Sequence, residues 1–253
     1  MSLSKNKLKY LRSLKLKKFR QKYDNFVVEG DKIVGELLQS NSLDIEGIFA
    51  TKEWIDSNSH LLYTYTSIIH VASEPDLKTI TLFNTPSQVY VVVQRPKPSF
   101  PNNFLTNNFA LFLDDIQDPG NLGTILRIAD WFGIPNVICS EQCVDSFNHK
   151  VIQSSMGAFL RVNVINSSFE KIYKQYPDVP YYGTVLAGNN LYEEKFLQKG
   201  IVVIGNEGRG ISNDILEKLT HRIFIPKGKN GGAESLNAAV ATGIVCSVLS
   251  QAQ

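Results

Sequence analysis

Residues 201–210 read IVVIGNEGRG. Four branched apolar residues in succession, with no polar residue alternating between them, describe a strand buried on both faces, as in the middle of a parallel sheet. Three glycines follow, Gly205, Gly208 and Gly210, set around Glu207 and Arg209. Open parallel sheets hold their ligands beyond the carboxyl ends of the strands, so this loop marks a candidate site. Working outward, similar apolar runs occur at FALFLDD (109–115), NVICS (136–140), YYGTVLAG (181–188) and RIFIPK (222–227). Between them, helical patterning falls at 121–132, 146–157, 213–220 and 235–250. Strands alternating with helices imply an α/β fold, a mainly parallel sheet with helices on both faces.

The loop has the order G-x-x-G-x-G, whereas the dinucleotide fingerprint is G-x-G-x-x-G followed by an acid at the end of the next strand. Here the next strand runs into Pro226 and Lys227. A nicotinamide-dependent oxidoreductase is therefore a poor fit. No G-x-x-x-x-G-K-[ST] occurs, so a P-loop nucleotidase lacks its central part.

Upstream, Pro96, Pro98 and Pro101 with asparagine pairs at 102–103 and 107–108 can hold neither helix nor central strand. This stretch, 96–107, reads as a linker between a domain at 1–95 and one at 108–253. The first domain reads as a small mixed α/β unit. KLKYLRSLKLKKFRQ has leucines at helical spacing under a basic face, NFVVEGDKIVGELLQ a strand turning into a helix, and QVYVVVQ a strand.

The overall charge is +2, but nine cations and no acid lie between Lys5 and Lys22: Lys5, Lys7, Lys9, Arg12, Lys15, Lys17, Lys18, Arg20 and Lys22. The remaining chain is net negative. The positive charge is concentrated at one end, a segment expected to bind phosphate, against the plain reading of a solvated helix face. Cys139, Cys143 and Cys246 form neither a disulfide framework nor, lacking further ligands, a zinc site. No metal is implied, and a reducing, cytoplasmic compartment is expected. No apolar run has membrane-spanning length.

Two further segments stand beside the glycine loop. DDIQDPGNLGTILRIADWFG (114–133) offers a Pro119-Gly120 turn, Asn121 as N-cap, and a helix with the stripe Leu122, Ile125, Leu126, Ala129 and Phe132. Arg127 lies nearly opposite that stripe, where a solvated arginine is the ordinary occupant. ESLNAAVATGIVCSVL (234–249) has Ser235 as N-cap of a helix rich in small residues that permit close packing.

In this order, the three segments resemble the motifs of the SpoU/TrmH-type RNA 2'-O-ribose methyltransferases of the SPOUT class. N-x-G-x-x-x-R is met by Asn121, Gly123 and Arg127. G-x-E-G-x-G is met by Gly205, Glu207, Gly208 and Gly210, and I-P with S-L-N by Ile225, Pro226, Ser235, Leu236 and Asn237. Two departures are Lys227, where the family usually has Met, and a longer interval before S-L-N.

The resemblance implies methyl transfer from S-adenosylmethionine to a ribose 2'-hydroxyl of RNA, and the two-domain layout favours ribosomal over transfer RNA. It implies a C-terminal trefoil knot, which general topology rules make very rare, an N-terminal substrate-binding domain and a homodimer. It implies catalytic roles for Arg127, Asn121, Glu207, Ser235 and Asn237. Cofactor contacts would come from Leu186, Ala187, Gly205, Asn206, Gly208, Ile225, Pro226 and Leu236, with glycine letting main chain approach the bound molecule. A guanidinium is normally protonated, so Arg127 is expected to grip phosphate and stabilise the developing alkoxide. The alternative is a non-catalytic RNA-binding module on the same fold.

Overall fold

The computed structural model describes residues 3–97, 99–101, 104–105 and 108–251. The expected linker's Pro98, Asn102, Asn103, Thr106 and Asn107 lie outside them. Two compact units are formed, Met1–Lys97 with Phe147–Leu160, and Pro98–Ser146 with Arg161–Gln253.

The first unit runs α1 (Lys5–Ser13), α2 (Lys17–Tyr23), β1 (Asn25–Glu29), α3 (Asp31–Ser40), β2 (Ile45–Ala50), α4 (Lys52–Ser57), α5 (Ser59–Leu62), β3 (Ile69–Val71), α6 (Glu74–Ile80) and β4 (Val89–Gln94). Its four-stranded sheet has the order β1-β4-β2-β3, antiparallel except where β2 meets β3. The run VYVVV is apolar without alternation because both faces are covered. Val89, Val91 and Val93 pack with Phe26, Leu37 and Trp54, while Tyr90 and Val92 pack with Leu11, Leu14, Leu77 and Ile80.

The basic segment is therefore an integral part of this unit. Leu11 and Leu14 are fully buried, and Tyr90 donates its hydroxyl hydrogen to Leu11 O at 3.0 Å. The expected single helix is broken at residues 14–16. Arg20 is buried and donates to Leu14 O (2.9 Å) and Lys15 O (2.7 Å), closing off the carbonyls that the break leaves over.

The second unit begins before its first strand. Phe104 and Leu105 are buried, and Phe100, Phe104 and Tyr176 form an aromatic cluster with centroids 5.0–6.3 Å apart, so the described part of 99–105 is anchored to this unit. There follow β5 (Phe109–Leu113), α7 (Pro119–Trp131) and β6 (Asn136–Cys139). The chain then supplies α8 (His149–Ser154) to the first unit, where Ile152, Phe147 and Phe159 join the core beside Phe26 and Val28. The expected helix at 146–157 is thus shorter, and it covers the other sheet. After it come β7 (Asn163–Asn166), α9 (Phe169–Gln175), β8 (Tyr181–Asn190), β9 (Gly200–Ile204), α10 (Asn213–Leu216), β10 (His221–Phe224) and α11 (Ala238–Leu249).

The six strands are all parallel, in the order β10-β8-β9-β5-β6-β7. β9, the IVVI of the opening stretch, is central and fully buried. Ala110, Phe112, Ile201 and Val203 pack beneath Phe169, Ile172, Ile211 and Ile215, and α11 packs on α7. Among the described residues no helix is long and apolar enough to cross a membrane.

Candidate active site

Strand order decides which loops meet. β10, β8 and β9 are adjacent and parallel, with β5 next to β9, so the carboxyl ends bearing Ile225, Leu186, Gly205 and Asp114 stand side by side.

The N-cap of α7 is Asp118, whose carboxylate accepts from Asn121 N–H at 2.8 Å, and Pro119 takes the first helical position. Asn121 lies three residues inside the helix, not at its cap as the sequence suggested, and its side chain is free to reach outward. Its Nδ2 donates to Glu207 Oε1 at 2.6 Å, and its Oδ1 accepts from Asn237 Nδ2 at 2.8 Å. Asn237 is the N-cap of α11, its Oδ1 accepting from Ala239 N (2.9 Å) and Val240 N (3.3 Å). Ser235, expected in that position, sits two residues earlier, exposed and without a hydrogen-bond partner among the described residues. One chain of hydrogen bonds, Asn237–Asn121–Glu207, thus ties together segments far apart in sequence.

The glycine loop is closed on itself. Asn206 and Gly210 exchange two backbone hydrogen bonds of 3.0 and 2.9 Å. A Cβ on Gly205 would stand 2.3 Å from Gly210 C and 2.4 Å from Ile211 N, and Gly210 has φ 69°. Gly205 and Gly210 are thus required by the loop's own geometry, Gly205 by close backbone and Gly210 by its positive φ, while a Cβ on exposed Gly208 would meet only Asn206 Oδ1, at 3.7 Å. Asn206 spends its side chain inside the scaffold, accepting from Gly208 N and Arg209 N and donating to Asp115 O at 2.8 Å. Its remaining handle for a ligand is main chain. Arg209 pairs with Asp115, a non-glycine residue held at φ 60°, and Ser212 N–H donates to Asp114 at 2.8 Å.

Beside this loop the β8–β10 ladder is interrupted. Tyr182 and Gly183 pair with His221 and Arg222, and pairing resumes only at Asn189 and Asn190 against Ile223 and Phe224. Residues 184–188 therefore bulge outward, which leaves Leu186 81% exposed and Ala187 exposed. Leu236 is 45% exposed, and Ile225 and Pro226 are half-buried. Solvated leucines, Leu186 on the interrupted part of β8 and Leu236 just before α11, with a loop offering main-chain groups, fit an adenosyl ligand that needs apolar surface and edge hydrogen bonds.

Arg127 is exposed on α7 and makes no hydrogen bond or ion pair among the described residues; the Asn237–Asn121–Glu207 chain does not include it. Beneath the start of this motif lies a thiol pair. Cys143 Sγ accepts from Ile116 N–H and donates to Leu113 O, both at 3.3 Å. The hydrogen bond with Cys139 brings the Cys143 thiol down to about 7, and the same bond, reinforced by burial, pushes the Cys139 thiol well up. The sequence reading missed these supports, Asp115, Arg209, Asp118 and Cys143. The acid pair ending FALFLDD was the available signal for Asp115; nothing local marked the thiols.

In sequence, residues 108–247 match a family model, the SpoU rRNA Methylase family. The chain belongs to that family. Residues 5–90 match an MRM3-like substrate binding domain. The chain is 31% identical, over 96% of both chains, to the Bacillus subtilis 23S rRNA (guanosine(2553)-2'-O)-methyltransferase RlmP. It is 30% identical to human mitochondrial rRNA methyltransferase 3, over 61% of this chain and 38% of that one. Among solved structures, an RNA methyltransferase of the TrmH family from Porphyromonas gingivalis superposes with a TM-score of 0.87 at 36% identity, covering 98% of both chains. An AdoMet-bound rRNA methyltransferase from Sinorhizobium meliloti does so with 0.85 at 25% identity, covering 99% of this chain and 96% of that one. The likeness to these solved structures agrees with the parallel α/β fold of the second unit.

Proposed function

We propose that this SpoU family member transfers a methyl group from S-adenosylmethionine to a ribose 2'-hydroxyl of ribosomal RNA. The observation that carries it is the hydrogen-bonded chain Asn237–Asn121–Glu207, which joins the three motif segments. The full-length likeness to a 23S rRNA 2'-O-methyltransferase supports ribose over base and ribosomal over transfer RNA.

When bound, S-adenosylmethionine supplies an electrophilic methyl on a sulfonium centre. Leu186, Ala187, Ile225, Pro226 and Leu236 would hold its apolar parts, and main chain at Gly205, Asn206 and Gly208 its polar edge. Asn121 is held from both sides, by donation to Glu207 and acceptance from Asn237, so it and Glu207 keep a fixed geometry against which the ribose is oriented. Arg127 stays charged. It grips the RNA phosphate and stabilises the alkoxide as the hydroxyl loses its proton to phosphate or water. Exposed Trp131, four residues along α7 on the same face, and Val240 at the start of α11 support a homodimer built on these helices.

Mapping ribose methylation in total RNA with and without the protein tests the reading: one 2'-O-methyl site in ribosomal RNA should vanish in its absence. Calorimetry showing no S-adenosylmethionine binding would favour a non-catalytic RNA-binding module.

A further inference from the structure

The aromatic side chains of α1 and α2 gather on one face of the first unit. Leu16, Phe19 and Tyr23 follow the spacing i, i+3, i+7 and so share one side of α2. Leu16 is 50% and Tyr23 40% exposed. The Phe19 and Tyr23 rings lie nearly parallel, their planes 14° apart and their centroids 6.2 Å apart, and Tyr10 of α1 meets Tyr23 edge to face at 5.0 Å. Tyr10 is itself fixed, its hydroxyl donating to Glu46 of β2 at 3.1 Å and accepting from Asn25 of β1 at 2.8 Å. Tyr23 therefore rests on a side chain anchored in the sheet, yet stays open to solvent.

Cations stand over the same rings. Lys18 Nζ is 5.1 Å from the Phe19 centroid and Lys22 Nζ 5.3 Å from that of Tyr23, and neither is ion-paired among the described residues. Two acids stand close by, but Glu46 is engaged by Tyr10 and Asn25, and Asp24 is half-buried past the end of α2. Two aromatic residues at i, i+4 steady a helix by packing on each other, which is the plain account of Phe19 and Tyr23. It leaves unexplained why Tyr23 and Leu16 face water, and why every charged residue of α2, Lys17, Lys18, Arg20 and Lys22, is a cation. A π face supplied with cations fits a ligand that is planar and anionic at once, an unpaired nucleotide. A duplex hides its base faces in its own stack.

We propose that Tyr23, flanked by Leu16 and Phe19, is a stacking platform for an unpaired base of RNA, with Lys18 and Lys22 turning from the rings to the adjoining phosphates. The proposal rests on the RNA reading above and deepens it, because it gives the first unit a preference for single-stranded over paired RNA. Stacking accepts any base, so the platform holds the strand without reading its sequence.

The test is titration of a single-stranded oligoribonucleotide carrying a fluorescent adenine analogue with the full chain, beside a blunt duplex of the same sequence, over a series of salt concentrations. The single strand should bind more tightly than the duplex, and its emission should fall as the analogue stacks. Tyr23→Leu keeps apolar contact with Tyr10 but has no π face, so it should weaken single-strand binding about tenfold, remove the quenching and leave the salt slope unchanged. Tyr23→Phe should behave as the unaltered chain. Lys18→Gln and Lys22→Gln, both at exposed positions, should each make the slope of log affinity against log salt shallower, by up to about 0.7 for one phosphate of a single strand. Tyr23→Leu matching the unaltered chain in affinity and quenching overturns the platform while leaving the RNA reading standing, and so does equal affinity for strand and duplex. An unaltered chain that binds neither RNA overturns both, and its retention by phosphatidylserine vesicles would assign this face to a membrane surface. Should Tyr23→Leu fail to fold, photocrosslinking of a thiouridine-substituted strand to the unaltered chain decides: adducts on Tyr23 or Phe19 support the platform, and adducts confined to the second unit overturn it.

Discussion

The carboxyl edge of the parallel sheet and the cationic corner of the first unit handle polar groups in opposite ways. At the sheet edge, Asn121, Asn206, Asn237, Glu207, Asp115 and Arg209 are all bonded to one another or to main chain. In the corner around Arg95 and His149, the buried Arg95 Nε and His149 Nδ1 have no partner among the described residues, and the charges acting on His149 are positive. The first arrangement is preorganised: it holds its shape before a ligand arrives and so adds no reorganisation to the chemical step. The second is left without partners of its own, at a cost in stability that the sheet edge does not carry. Arg127, further along α7, is exposed and makes no hydrogen bond or ion pair among the described residues, as the RNA-facing role proposed for it requires.

The comparison breaks most easily at Arg127. Arg127→Ala should reduce kcat about a thousandfold while S-adenosylmethionine affinity and Tm stay near normal, measured by single-turnover methylation, calorimetry and thermal melts. Unchanged turnover would place Arg127 with ordinary solvated arginines. Next in size is Gly205→Ala. The added methyl meets backbone on two sides, so the loop must open, destabilising the chain by about 2–3 kcal/mol in a denaturant titration and weakening cofactor binding with it. A stable variant with intact affinity would show that the loop is not rigid.

Asn237→Ser sharpens the comparison further. Serine still caps α11 but cannot donate to Asn121, so Tm should hold while kcat falls roughly tenfold to a hundredfold, and Asn237→Ala should in addition cost about 1 kcal/mol of stability. Equal effects of the two on stability would mean that the cap contributes nothing. The smallest effect is expected for Arg209→Gln. That guanidinium is 72% exposed, and its ion pair with Asp115 is screened by solvent, so stability should change by less than about 1 kcal/mol and cofactor affinity only a few-fold.

Elements buried on both faces were legible because nothing polar interrupts them. β9, β5 and β4 are continuous apolar runs, and their strand character follows from that alone. β7 and β3 are edge strands, four and three residues long and only partly buried, and β7 carries asparagine at both ends, so neither presents a pattern. α8 was read as a helix of the parallel sheet because sequence adjacency was the only guide, whereas Ile152 finds its core beside β1. At the site, the residue types of the three motifs were visible, but their division of labour was not. That Asp118 rather than Asn121 caps α7 depends on where Pro119 can enter the helix, and only this releases Asn121 to bond Glu207. The pairing of Arg209 with Asp115 joins residues 94 apart in the chain, beyond any local rule.

The outward excursion of residues 184–188 has a bearing on how such a protein can change. Gly188 is pinned, since a Cβ there would meet Arg222 O at 2.3 Å, and the strand pairings on either side are set. The positions between are attached at both ends yet take no part in the pairing with β10. Thr184 donates to Val203 O and Val185 packs on the core, so it is exposed Leu186 and Ala187 that evolution or a directed library can rewrite, altering what is accepted at this edge without renegotiating the fold.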